Sequence, residues 1–222
     1  MSRLALVALV AGVALSGCGV SQATVTALEA DLKRSREDLQ DSKRLAKALG
    51  VYVRGLKTGN FNAPYSFVYL GPGDLKQAAS ALLPYRIPAS ELVAGASGEV
   101  EIVSINQPRL ESRNRIRLQL TLEGKGVQGA TKAAQALAGG VVADVELAVR
   151  YDEAHRFVAL RPTCTAVALK QTDDGAVRLE IVESLNQRVF DRSVPVPVPP
   201  LNREPAEAVF VTGDHVVIQY PQ

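Results

Sequence analysis

The sequence predicts an α+β protein: a long, curled antiparallel sheet wrapped around a helix, preceded by an N-terminal helix with a heptad repeat. Three observations lead there. From Glu99 onward, long stretches alternate apolar and polar residues with a period of two, as strands with one buried face do. Residues 21–49 instead repeat apolar or small residues in alternating steps of three and four, which is helical spacing. The composition is aliphatic, with only 5% aromatic residues and no tryptophan, so Val, Leu and Ala must build the core.

The helix comes first in the chain. Thr26 and Glu29 have the spacing of a capping box, and Gly50 stands where a C-terminal cap belongs. Its stripe runs through Val25, Leu28, Leu32, Ser35, Leu39, Ser42, Ala46 and Leu49. Val25, Leu28, Leu32, Leu39 and Leu49 are therefore candidates for an oligomer seam, which Ser35 and Ser42 weaken in the middle. Two readings compete: the seam zips with a copy of itself, or the helix is a spacer that packs against the globular part. As a spacer it would stand that part up to roughly 37 Å away, at about 1.5 Å per residue.

After Gly50, VYVRGLKTGNFNAPYSFVYLGPG reads as one or two short strands ending in a Pro72-Gly73 turn. Asp74 then caps a short helix, DLKQAASALLP, with Gln77 in the reciprocal position and Leu75, Ala78, Ala79, Leu82 and Leu83 on its apolar face. This helix is the nearest filler for the sheet. GEVEIVSINQPRLE and RIRLQLTLEGKGV form two long strands with a hairpin near Ser112-Arg113-Asn114. Ile116, Leu118, Leu120 and Leu122 share one face of the second, and Arg117, Gln119 and Thr121 the other. QGATKAAQALAGG makes a loop or short helix. VVADVELAVRYD and RFVALRPTCTAVALK follow as strands joined by a turn at Asp152–His155, and DDGAVRLEIVE reads as a further strand. A short helix at SLNQRVFDR precedes SVPVPVPP. There Pro195, Pro197 and Pro199 fall on one side, which suits an edge strand; the alternative is a polyproline docking segment. AVFVTGDHVVIQYP closes the chain as a strand pair or one bent strand.

The N-terminus carries an address. Arg3 precedes an apolar run from Leu4 to Leu15 that, at about 1.5 Å per residue, is too short to span a ~30 Å hydrocarbon core. The run ends in Leu15-Ser16-Gly17-Cys18, which resembles the lipobox of bacterial lipoproteins. The resemblance implies that residues 1–17 are a signal peptide, that Cys18 is the lipidated N-terminus carrying diacylglyceryl and a further acyl (palmitate-type) chain, and that Gly19 favours the outer membrane, facing the periplasm. Two or more acyl chains anchor a protein stably where one does not. The expected organisation is therefore 1–17 signal, 18–50 anchored heptad helix, and 51–222 globular α+β domain.

Over roughly residues 64–220, the order of elements resembles that of small bacterial lipoproteins with a tubular lipid-binding (TULIP-like) fold. The helix DLKQAASALL, the long hairpin, the pair ELAVRYDEAHRFVALRPTCTAVALK and the closing strands stand in the matching order. The heptad helix is extra, and the helix before the proline run is shorter than that family's. The resemblance implies an apolar channel holding a lipid or another long apolar molecule, lined by Ile116, Leu118, Leu120, Val145, Leu147, Val149, Val158 and Leu160. The residues alone say less: a one-sided apolar sheet also packs a dry core. The alternative function is a non-enzymatic envelope scaffold, or an assembly accessory, acting through its heptad helix.

Several chemistries find no support. The balance of 25 Lys+Arg against 23 Asp+Glu gives no strong field, so nucleic acid is not expected as a partner. The partners expected are the membrane, a lipid, an envelope protein or a second copy. His155 and His215 are the only histidines and lack ligand spacing, so no metal or other cofactor is expected. Cys164, mid-strand among apolar neighbours, reads as a buried inert thiol. With no nucleophile elbow or phosphate loop, the chain is not expected to be an enzyme.

Overall fold

The computed structural model describes residues 22–59, 65–106, 108–171 and 174–222. Cys18 and the signal segment lie outside them. Contacts divide the chain after Arg44. The first unit is the beginning of helix α1 (Gln22–Thr58), and the second, from Leu45, holds everything else.

The fold is α+β, with a long curled antiparallel sheet, as the periodicity predicts. The elements after α1 are β1 (Tyr65–Leu70), α2 (Pro72–Ser80), β2 (Tyr85–Pro88), α3 (Ala89–Leu92), β3 (Ser97–Ile105), β4 (Arg109–Glu111), β5 (Arg115–Gln128), α4 (Lys132–Gly139), β6 (Val141–Asp152), β7 (Phe157–Leu169), α5 (Gly175–Ser184), β8 (Val194–Pro197), β9 (Ala208–Val211) and β10 (Val216–Pro221). The large sheet runs β2-β3-β5-β6-β7-β8, with β4 pairing the start of β5. A second, three-stranded sheet runs β1-β10-β9, so the chain's last strand lies between its first strand and its neighbour.

The hairpin at Ser112–Asn114 forms as expected. Arg113 and Asn114 take positive φ of 66° and 59°, a conformation that Asn tolerates better than most residues. Asn114 also ties both sheets together. Its backbone C=O accepts from Val149 N–H at 2.8 Å, its Nδ2 donates to Val149 O at 3.1 Å, and its Oδ1 accepts from Val211 N–H at 2.7 Å.

Three sequence expectations need correction. Gly50 does not end α1, which continues to Thr58, so VYVRG is helical and β1 is the one strand of that stretch among the described residues. A glycine inside a helix costs about 1 kcal/mol relative to Ala, which the packing of the following residues offsets. At the other end, α1 is already helical at Gln22, so Thr26 and Glu29 lie inside it rather than capping it.

Second, DDGAVRLEIVE is not a strand but α5. Asp174 caps it, its Oδ1 accepting from Ala176 and Val177 N–H at 3.0 and 3.3 Å. Val177, Ile181 and Leu185, four apart, form its buried row, and a π-turn over Leu185–Val189 extends it. The helix before the proline run is thus longer than expected. Third, the helix near Asp74 buries none of its residues. Gly71, not Asp74, is its N-cap, and Asp74 Oδ2 accepts the Gly71 N–H at 2.8 Å.

The filler of the sheet is α3, α4 and α5. Ala89 and Leu92, then Ala133, Ala134, Ala136 and Leu137, then Val177 and Ile181 pack on Val100, Leu118, Leu120, Leu122, Val141, Ala143, Val145, Cys164 and Val167. Thr131 caps α4 by accepting Ala134 N–H at 3.1 Å. Gly124 of β5 lets α4 sit close: a Cβ there would lie 2.6 Å from Leu137 O.

The small sheet is buried on both faces. Val209, Val211, Val216, Ile218 and Tyr220 pack against Ile116, Val149 and Val158 of the large sheet. On the other face, Ala208, Phe210 and Val217 pack against Leu45, Ala48, Leu49 and Tyr52 of α1. Tyr151 and Tyr220 hold the intervening loop by donating to Ala206 O at 2.7 Å and Pro199 O at 2.8 Å. The proline run forms the expected edge strand, β8, paired only to β7.

Candidate functional site

Two surfaces were singled out by the sequence, and the structure places each. The eight expected channel residues lie on one face of β5, β6 and β7, but they divide between two cores. Leu118, Leu120 and Val145 belong to the core under α4 and α5, while Ile116, Val149 and Val158 belong to the core shared with the small sheet. All six are at most 9% exposed, covered by the chain's own side chains. Leu147 packs against both cores and Leu160 against the second, each only half-buried.

The seam residues behave differently. Val25, Leu28, Leu32 and Leu39 are between 43 and 62% exposed, values that belong to surface side chains although the residues are aliphatic. Leu49 instead sits half-buried against Phe210 and its neighbours, so this member of the expected seam is taken up inside its own unit. Because α1 runs on past Gly50, the same three-and-four spacing reaches Val53 and Leu56, which are 43 and 56% exposed. These two were missed only because the helix was expected to stop.

For Val53 and Leu56 the exposure follows from how that end of α1 packs on the small sheet. Leu45, Ala48, Tyr52 and Gly55 form the covered stripe. Each of these stands one position before a residue of the seam spacing (Ala46, Leu49, Val53, Leu56), a rotation of about 100°, so this end of the helix carries two apolar rows and uses one within the unit.

The polar face of the large sheet offers a groove of about 380 Å³ lined by Asn106, Pro108, Arg109, Arg117, Leu118, Gln119 and Asp144. Its groups engage one another. Asn106 Nδ2 donates to Gln119 Oε1 at 3.1 Å, Gln119 Nε2 donates to Asp144 Oδ1 at 2.7 Å, and Arg117 lies 3.4 Å from Glu111 and 3.7 Å from Glu146. A smaller hollow of about 260 Å³ between α4 and α5 is likewise crossed by an ion pair, Lys132 to Asp174 at 3.1 Å. In both, most of the charged side chains are engaged with one another.

The residues weighed for chemistry take structural roles. Cys164 is 2% exposed, and burial pushes its thiol up to about 11, far from the thiolate that reactivity needs. The side chain of Asn186, from the π-turn, stands in for a strand there. Its Oδ1 accepts Cys164 N–H at 2.7 Å and its Nδ2 donates to Cys164 O at 2.9 Å, at the point where the β6–β7 register shifts. His155 closes the Asp152–Arg156 turn, its Nδ1 2.9 Å from Asp152 Oδ2, and that contact above all holds the Asp152 carboxyl below its usual range. His215 closes the β9–β10 turn beside the Tyr69 ring. Among the described residues, no group of His, Cys, Asp and Glu could hold a metal ion. Nor is any helix among them long and apolar enough to cross a membrane.

The class of protein that fold and surfaces define is an α+β module with a helix-filled curled sheet and an N-terminal helix bearing an exposed heptad seam. Compared with known proteins, the chain matches no family model and no curated sequence.

Proposed function

We propose that this chain is a non-enzymatic lipoprotein of the bacterial envelope, anchored through Cys18 and facing the periplasm, whose working surface is the heptad seam of α1. The module serves as a scaffold held at the membrane. The observation that carries the reading is the contrast in exposure: six of the eight apolar side chains on the sheet are covered by the chain itself, whereas Val25, Leu28, Leu32 and Leu39 are exposed. An aliphatic row kept in water over several turns is costly unless something covers it, at about 25 cal/mol per Å². The address comes from Leu15-Ser16-Gly17-Cys18.

The test is cross-linking of the full chain in envelope membranes. Leu28→Lys with Leu32→Lys removes the cross-linked complexes while circular dichroism stays unchanged; complexes that survive both substitutions overturn the reading. A second reading, a lipid or other long apolar ligand on the sheet, is favoured by Leu147 and Leu160, the two expected lining residues that stay half-buried. It requires lipid to remain with the detergent-extracted chain, measured per chain by mass spectrometry, and Leu147→Asp to remove it.

A further inference from the structure

If the seam is the working surface, as proposed above, its occupant can be named. We propose that it is a second copy of this chain, lying parallel and in register along α1 from Val25 to Ser42. The proposal comes from the juxtaposition of the seam with the charges at its two borders. Val25, Leu32 and Leu39 take the first core position of successive heptads, and Leu28, Ser35 and Ser42 the fourth. One border then carries Asp31 and Asp38, and the other Glu29, Arg36 and Lys43, every one of them exposed.

In a parallel, in-register pair, a residue on the first border faces the residue about five positions further along on the second border of its partner. Asp31 therefore faces Arg36 of the second copy, and Asp38 faces its Lys43. The two-fold axis repeats both, so every such contact joins opposite charges. In an antiparallel pair each border meets itself, and Asp31 and Asp38 are brought onto an acidic border. The charge pattern thus selects the parallel pair over the antiparallel one.

The serines fit the same arrangement. Ser42 Oγ donates to Asp38 O at 2.8 Å within its own helix, so burying it against its copy strands no donor. Serine layers matched with themselves cost least in register and more when slipped against leucine, which fixes the alignment as polar core residues do in coiled coils. A parallel pair also leaves both N-termini at one end, where two lipid anchors on Cys18 can enter one membrane.

The experiment uses the full chain, extracted from membranes in detergent and oxidised before electrophoresis without reductant. Ser35→Cys and Ser42→Cys place thiols at core positions, close enough across a parallel pair to bridge. Glu37→Cys, on the outer side of the helix, is the control. Expected are disulfide dimers with the first two and not with the control. Asp31→Lys with Asp38→Lys should lower the dimer yield about tenfold, and adding Arg36→Glu with Lys43→Glu should restore it.

Equal bridging by the control, or no dimer with Ser35→Cys and Ser42→Cys, overturns the pairing. Those failures differ from failure of the scaffold reading. If complexes still vanish with Leu28→Lys and Leu32→Lys but no homodimer bridges, the seam has another occupant and only the second-copy proposal falls. If complexes ignore the seam, both fall.

Discussion

The apolar face of β5 and the apolar seam of α1 are written with the same residue types. Leu118, Leu120 and Leu122 are at most 9% exposed, whereas Leu28, Leu32 and Leu39 are more than half exposed. The difference is one of supply. β5 is followed in the chain by α4 and α5, whose alanines and branched aliphatics sit on the sheet, and by β9 and β10, which cover its far end. The seam receives no such cover from the residues described, although α1 gives a different stripe to the small sheet. Hydrophobic periodicity therefore names a face that must be covered; only the remainder of the chain decides whether the cover is its own.

That contrast can be broken from the covered side first. Leu137→Ala removes a 1%-exposed side chain from between α4 and the sheet and should cost about 3 kcal/mol of unfolding free energy in urea titration. The matching Leu32→Ala should shift the same midpoint by less than about 0.5 kcal/mol while weakening association. A comparable loss from both would erase the distinction. Asn114→Ala comes next. It strands the Val211 N–H and frees Val149 O, with an expected cost of about 2 kcal/mol in the same titration.

Smaller in size and opposite in sign is Gly50→Ala. A Cβ there meets nothing within 4 Å, so the substitution should stabilise α1 by about 0.5–1 kcal/mol, read as raised helicity and a higher melting temperature. No gain would mean that Gly50 is held in a non-helical minority state.

The smallest effect is the acid response of α5. Asp174 is held below the usual carboxyl range, first by Lys132 and then by the Val177 and Ala176 N–H groups. Its stabilising contribution is present above the unfolded carboxyl value of about 4 and is lost as pH falls through the lowered folded value. Asp174→Asn should keep the cap but flatten the acid limb of the melting-temperature profile, and Asp174→Ala should lose the cap at every pH.

How much of this was legible follows from the same physics. β5 was read correctly because from Arg115 to Glu123 each inward residue is aliphatic and each outward one polar, so only one period fits. AVRLEIV, by contrast, satisfies both a strand and a helix over seven residues; the Asp174 cap and the four-residue steps to Ile181 and Leu185 decide it, and those emerge only when the flanks are weighed. Gly50 imitated a helix end because glycine's preference is local, while α1 is held beyond it by Tyr52 on Phe67 and Phe210, long-range contacts with no sequence signal. The separate small sheet was hidden for a related reason. β9 and β10 are buried on both faces and show no alternation, and β1 pairs with the far end of the chain, Tyr65 opposite Pro221. Of the candidate sites, the seam was legible because its spacing is local, and its extension to Val53 and Leu56 was lost with Gly50. The division of the eight sheet residues between two cores was not, since it depends on which distant segments land where.

The proline strand has a consequence for crowding. Val198 N–H donates to Arg156 O of the β7 side, and by alternation Val194 and Val196 direct theirs the same way, so the free rim of β8 holds Pro195 and Pro197 and offers carbonyls without donors. At the opposite rim, β2 is four residues long and carries Arg86, paired at 2.9 Å with Glu101. Molecules concentrated by a shared membrane anchor collide often, and open sheet margins are where such collisions grow into fibrils. One rim of the large sheet thus lacks donors and the other is short and charged, so the anchor proposed on Cys18 would raise the local concentration with little templating from these two margins.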